Sequence, residues 1–178
     1  MYFCEEGENG IMFSVQDYIV YGTSGVCLVD SVIPSPFGPQ DDRLYYVLKP
    51  VHEIGDSTIY TPVDNTQVAM RPLISAKEAA KLIRRLDDIC VLRVDAEKER
   101  RDRYRSVLAG QVPEEYISLL KTVAKRRSDC IAAHKRLPDM DNEYESRARH
   151  CLCCELSIVL GETFERMEDL MNTKLACE

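Results

Sequence analysis

The sequence predicts an α+β chain of two domains, a small β-barrel followed by an all-α helical bundle. Two observations carry this. Between about residue 13 and residue 72, short runs of β-branched and aromatic residues are broken by Gly, Pro and Asp turns. From Ser75 onward the apolar residues change to a spacing of three and four, the period of a helix that buries one face. The predicted division is an extension over 1–11, a β domain over 12–73 and a helical domain over 74–178.

Five strands are expected, over 18–21, 26–32, 44–48, 58–63 and 69–71. Gly22-Thr23-Ser24-Gly25 makes a tight connection between the first two. Pro34-Ser35-Pro36-Phe37-Gly38-Pro39 cannot continue a ladder, because proline lacks the donor, and reads as a longer loop. Ser75 and Glu78 form a capping box ahead of Ala79, Leu82, Ile83 and Leu86, which sets the start of the first helix. A second, highly charged helix is expected from Asp95 to about Ala109, ending near Gly110. Pro113 suits the first position of a third helix and Glu114 and Glu115 suit its positive end, with Ile117, Leu120, Ala124 and Ile131 as its stripe. This helix should stop before Pro138. Asp141 or Asn142 is expected to cap the last helical region, which Gly161 divides in two.

Charge is distributed unevenly over the 178 residues. Residues 1–74 hold 3 basic and 10 acidic side chains, a balance of −7; residues 75–136 hold 16 and 10, or +6; residues 137–178 hold 4 and 10, or −6. Phosphates would repel the first module, so its partner is expected to be a protein surface, and only the middle of the chain suits nucleic acid. No run is apolar enough for a membrane helix, and the opening Met1-Tyr2-Phe3-Cys4-Glu5-Glu6 lacks the order of a secretory signal. A cytoplasmic protein with no membrane contact is expected. The 8 cysteines do not follow the spacing of a secreted disulfide framework and are expected to be reduced thiols. In the densest group, His150, Cys151 and Cys154 share a helical face on which zinc is an open alternative to buried thiols.

No catalytic constellation is visible. His52, His134 and His150 lack spaced partners, and Gly22 to Gly25 fits neither a nucleophile elbow nor a phosphate loop. No enzyme, cofactor or resident metal is expected. Two basic helices are the candidate DNA-facing elements, with Arg100, Arg101, Arg103 and Arg105 in one and Lys121, Lys125, Arg126 and Arg127 in the other. Arg101 and Arg105, like Lys121 and Lys125, are four apart and share a face, as a phosphate track requires; the competing reading is a solvated face neutralised by Glu97, Glu99 and Asp102. Tyr60, between Ile59 and Thr61 and just before Pro62, marks a strand that at a sheet edge would offer its free backbone to a partner.

The run Phe13-Ser14-Val15-Gln16-Asp17-Tyr18-Ile19-Val20-Tyr21-Gly22, the strand Tyr45-Tyr46-Val47-Leu48 and the strand Ile59-Tyr60-Thr61-Pro62-Val63 resemble the opening domain of CarD-like transcription regulators, shared with the transcription-repair coupling factor. The resemblance continues through Met70-Arg71-Pro72-Leu73-Ile74-Ser75 into the helical half, at Leu108-Ala109-Gly110, the 116–123 helix and the 148–160 segment. It implies a Tudor or SH3-like barrel that binds the RNA polymerase β subunit, with Ile59, Tyr60 and Thr61 on the pairing strand. It also implies a helical domain that touches promoter DNA and helps hold the open complex. Many members carry a tryptophan wedge shortly before the arginine-rich second helix. This chain has none and offers Arg93 and Lys98 in that stretch, so the implied DNA contact is to phosphates, through Arg93, Lys98, Arg100, Arg101, Arg105, Lys121, Lys125 and Arg126. The alternative is a protein-interaction adaptor without DNA binding, which recruits through its acidic end.

Overall fold

The structure is a computed structural model and describes residues 13–38, 41–51, 57–94 and 96–175. The expected extension over 1–11, His52 and Asp95 lie outside the described residues. Two compact units divide the chain between Leu73 and Ile74.

The first unit is a single antiparallel sheet. Its strands are β1 (Tyr18–Tyr21), β2 (Gly25–Pro34), β3 (Leu44–Pro50), β4 (Ile59–Pro62) and β5 (Met70–Pro72), in the order β4-β3-β2-β1-β5. The β1–β2 connection needs its glycines: Gly22 and Gly25 have φ of 49° and 76°, and a Cβ on Gly22 would stand 2.7 Å from a Val68 methyl. β2 is long enough to need a bend, and its register with β3 shifts between Val29 and Ser31. Alternation then sends Ile19, Cys27, Val29, Tyr46 and Leu48 to one face, where they pack with Phe13. The buried Tyr46 hydroxyl accepts from the Phe13 N–H at 3.0 Å, which fastens the segment before β1 to the sheet. A barrel was expected, but no ladder joins β4 to β5 among the described residues, so the sheet is open, with β4 and β5 at its two edges. β5 is three residues long and ends in Pro72, which cannot donate to a further ladder.

The second unit holds five helices: α1 (Ala76–Arg84), α2 (Glu97–Gly110), α3 (Pro113–Ala132), α4 (Asp139–Leu160) and α5 (Phe164–Leu175), with a 3₁₀ turn at Leu86–Asp88. α1 starts on the predicted capping box: the Glu78 N–H donates to Ser75 Oγ at 3.2 Å, and the Ser75 N–H donates to Glu78 Oε2 at 2.8 Å. Replacing Ser75 with alanine removes one half of that reciprocal cap and is expected to cost the helical unit about 1 kcal/mol in urea unfolding. α2 runs through Gly110 and ends on Gln111, whose φ is 55° and whose side chain is buried. The helix thus ends near Gly110, as expected. α3 ends at Ala132, before Pro138, and the Lys135 N–H reaches back to the Cys130 carbonyl at 2.8 Å, the wrap of a Schellman turn.

α4 is the centre of the unit and buries Ala148, Cys151, Leu152, Cys153 and Leu156 against Leu82, Leu86, Tyr104 and Leu120. Gly161, at φ 67°, ends it and separates it from α5, as the sequence indicates. Asp141 does not cap this helix. α4 begins two residues earlier, after Pro138, and Asp141 points into the interior, where three side chains claim it.

Candidate functional site

β4 is one of the two outer strands of the sheet and pairs only with β3 among the described residues. The Val63 N–H donates to the Leu44 carbonyl at 3.0 Å, and the same register pairs Tyr46 with Thr61 and Leu48 with Ile59. Bonded and open pairs alternate along an antiparallel ladder. Ile59 and Thr61 therefore turn their backbone groups to β3, and Tyr60 and Pro62 turn theirs to the free side. Pro62 has no N–H, and its carbonyl accepts from Asn65 at 3.1 Å. What the edge offers is the N–H and C=O of Tyr60.

Side chains alternate in the same way. Ile59 packs against the core, and Thr61 is 1% exposed, its hydroxyl accepting from the Asn65 amide at 2.8 Å. Tyr60 is 45% exposed on the opposite face, above Val47. Of the three residues expected to meet a partner, Tyr60 is placed to do so. Thr61 is not: its side chain is inside the sheet and its backbone belongs to β3.

Phe37, in the proline-rich loop between β2 and β3, stands beside Tyr60. It is 70% exposed and meets Tyr60 edge to face at a ring separation of 6.4 Å, and Tyr45 at 5.5 Å. An aromatic inside a proline-rich turn was the available signal. The loop is pinned by one carboxylate. Asp41 accepts from the Tyr45 hydroxyl at 2.7 Å, from Arg43 Nε and Nη2 at 2.8 and 2.9 Å, and from Ser35 Oγ at 3.2 Å. The Arg43 guanidinium and then the Tyr45 hydroxyl hold the Asp41 carboxyl well below the usual carboxylate range. Beside these rings lies a polar cleft of about 320 Å³, lined by Tyr60, Arg43, Asp64 and Gln67.

The basic residues of the helical unit divide into two groups. Arg100, Tyr104, Val107 and Leu108 form the buried stripe of α2, while Lys98, Arg101 and Arg105 lie on its exposed side. Arg101 faces Glu97 at 3.9 Å and Arg105 faces Asp102 at 3.8 Å. Arg93 and Lys125 are exposed. Arg100, 4% exposed, and Lys121, 2% exposed, cannot face DNA, which corrects the expectation for both. Lys121 Nζ donates to the Asp87 carbonyl at 3.2 Å. Arg126 is half-buried and directed at Asp141.

Asp141 is the hub of that interior. It is fully buried and accepts from the Tyr104 hydroxyl at 3.0 Å and from Arg126 at 3.2 and 3.3 Å, with Arg100 Nε at 3.4 Å. Burial, and then the Asp141 charge, push the Tyr104 hydroxyl upward from its ordinary pKa. Glu145, one turn along α4, is held by Arg127 and by Arg149, the latter at 2.9 Å. Burial alone would raise the Glu145 carboxyl, but the two guanidinium groups outweigh it and leave it below the ordinary glutamate value. These carboxylates tie Arg100 of α2 and Arg126 and Arg127 of α3 to α4; Arg100 is buried, Arg126 partly so, and Arg127 keeps 42% of its side chain exposed.

Cys151, Cys153 and Cys154 are buried, and burial pushes the Cys153 thiol up to about 12, which disfavours its thiolate. The His150 ring stands against Phe164 at 5.4 Å. Among the described residues no group of three His, Cys, Asp or Glu side chains is placed to hold a metal ion, and no helix is long and apolar enough to cross a membrane.

The first unit is a short open sheet with two exposed aromatic rings beside its β4 edge. Residues 13–74 match the family model of the CarD-like/TRCF RID domain, the RNA-polymerase-interacting domain, and this part of the chain is such a domain. The match covers the whole described sheet and stops at the start of the helical unit. The domain family points to RNA polymerase as the partner and to transcription regulation as the setting. No curated protein matches the chain.

Proposed function

We propose that this protein is a non-catalytic, cytoplasmic transcription regulator whose Tudor-like first unit docks on the RNA polymerase β subunit through the β4 edge at Tyr60. The observation that carries the reading is the domain match together with an exposed Tyr60 whose backbone groups face away from the sheet. Addition of a partner strand to that edge supplies main-chain hydrogen bonds, and the side chain beside it supplies selectivity. Docking brings the helical unit near promoter DNA. Arg93, Lys98, Arg101, Arg105 and Lys125 are the cations exposed for phosphate contact. If they bind the open complex more tightly than the closed one, they shift that equilibrium by the difference and no more.

A second reading has its own support. Asp141 and Glu145 engage Arg100, Arg126, Arg127 and Arg149 in ion pairs within the helical unit, which suits an adaptor that binds polymerase and a further protein without touching DNA. Salt separates the two readings. The experiment is to follow the lifetime of promoter open complexes while titrating the chain at 50 and at 200 mM salt. Four or so phosphate contacts predict that the concentration needed for half the effect rises by about a hundredfold. A stabilising effect with no salt slope beyond that of polymerase binding alone supports the adaptor, and no binding to polymerase refutes both readings.

A further inference from the structure

We propose that Phe37 and Tyr60 form a two-ring slot that receives one apolar side chain, flanked by basic residues, from the strand laid along β4; this rests on the docking reading above. The register of such a strand is fixed by the chain itself. Within β4, Tyr60 is the residue that offers both backbone groups at the free edge, because Pro62 lacks the N–H and its carbonyl is taken by Asn65. In an antiparallel pairing, the partner residue opposite Tyr60 exchanges both hydrogen bonds with it. Directly opposite residues project to the same face with Cβ atoms roughly 5 Å apart, so that partner side chain emerges beside the Tyr60 ring, on the face that carries Phe37. Two rings at right angles, 6.4 Å apart and both solvent-exposed, present one face and one edge to whatever lies there.

The rings are held before any partner arrives. Asp41 ties Ser35, Arg43 and Tyr45 together, and the Phe37 N–H donates to Ser35 Oγ at 3.2 Å. Gly38, at φ 124°, turns the chain just after the ring, with nothing within 4 Å of where a Cβ would stand. An exposed aromatic fixed in this way binds without the entropy of ordering a loop. The charge of the flanks follows from the module. Residues 1–74 balance at −7; of their three basic residues Arg43 is paired with Asp41 and Lys49 with Asp30, and Arg71 lies on β5, at the edge opposite β4. Asp64 stands in the cleft beside Tyr60. Basic flanks are attracted and acidic ones repelled. Asp41 is a positioning residue in this account, since it acts through Phe37.

The test uses the full chain and core RNA polymerase, with affinity read by fluorescence anisotropy for wild type, Phe37→Ala, Tyr60→Ala and the double variant. Phe37 is a surface residue, and an unchanged thermal melt verifies that its variant is folded. Phe37→Ala is expected to weaken binding about tenfold, in the range of an interface anchor. The double variant should lose less than the product of the single losses, because both rings hold the same side chain. Phe37→Tyr, which keeps the ring, should bind as wild type does. Wild-type affinity in Phe37→Ala alongside a loss in Tyr60→Ala overturns the slot and leaves the docking reading standing. Failure of the wild-type chain to bind overturns both.

Discussion

Replacing Asp141 with alanine is expected to destabilise the helical unit by about 3–5 kcal/mol, the cost of breaking a buried ion pair by removing one partner. The carboxylate is fully buried and receives Tyr104, Arg126 and Arg100 from two other helices. Truncation takes away the buried carboxylate that Arg100, Tyr104 and Arg126 all face. The loss reflects the buried polar groups that lose this acceptor more than the worth of any one pair. Two comparisons separate the causes. Arg126→Met should cost less, because Arg126 is partly exposed and water can replace its partner. A double variant, Arg100→Met with Asp141→Leu, removes both buried charges and should recover most of the stability lost in Asp141→Ala. Urea unfolding followed by far-UV circular dichroism measures all three. A change of less than about 1 kcal/mol in Asp141→Ala would show that the hub does not hold the helices together.

That hub also explains where the sequence was readable and where it was not. The capping box at Ser75, the proline start of α3 and the glycine end of α4 are local devices, set by side chains within one turn of the element they govern, and each appears where the sequence puts it. Arg100 is different. Spacing groups residues onto helical faces but does not say which face turns inward when a helix is as charged as α2. The signal was present in the run Arg100, Tyr104, Val107, Leu108, a stripe at i, i+4, i+7 and i+8 with an arginine at its head. An arginine is ordinarily placed outside, and here the buried carboxylate of α4 stands 3.4 Å from its Nε. Lys121 followed the same course, its stem buried and its ammonium on the Asp87 carbonyl. Neither partner is near in sequence, so no local reading could find them.

The first unit was legible in its strands and less so in their closure. Each predicted strand exists within a few residues, because alternation and turn chemistry are local. Whether β4 meets β5 depends on how the 63–69 segment carries the chain between them, and the sheet stays open. Tyr60 was legible as an aromatic before a proline. Thr61 was grouped with it because neighbours in sequence look alike on paper, yet in a strand they face opposite ways, and the one inside is Thr61. Phe37 comes from a loop, where no periodicity points to a face.

Tyr60→Pro should nearly abolish polymerase binding, with a loss well beyond that of Tyr60→Ala. The alanine variant removes a ring of the kind that dominates interfaces and is expected to cost about 2 kcal/mol, near thirtyfold in affinity. Proline removes that ring, and it also removes the one N–H that β4 presents to a partner strand and places its own ring in the way. The β3–β4 ladder should survive, since the Tyr60 backbone faces away from β3 and Pro62 already occupies a position of the same kind two residues later. The contrast between the two variants therefore reports the backbone pairing itself.

The most direct measurement is calorimetric titration of wild type, Tyr60→Ala and Tyr60→Pro into the β-subunit lobe of the cognate RNA polymerase, each variant first verified to melt as wild type does. Docking by strand addition at β4 predicts binding by the wild type, a marked loss with alanine and a larger loss with proline. Equal affinity for all three chains, or no binding by the wild type, would contradict it.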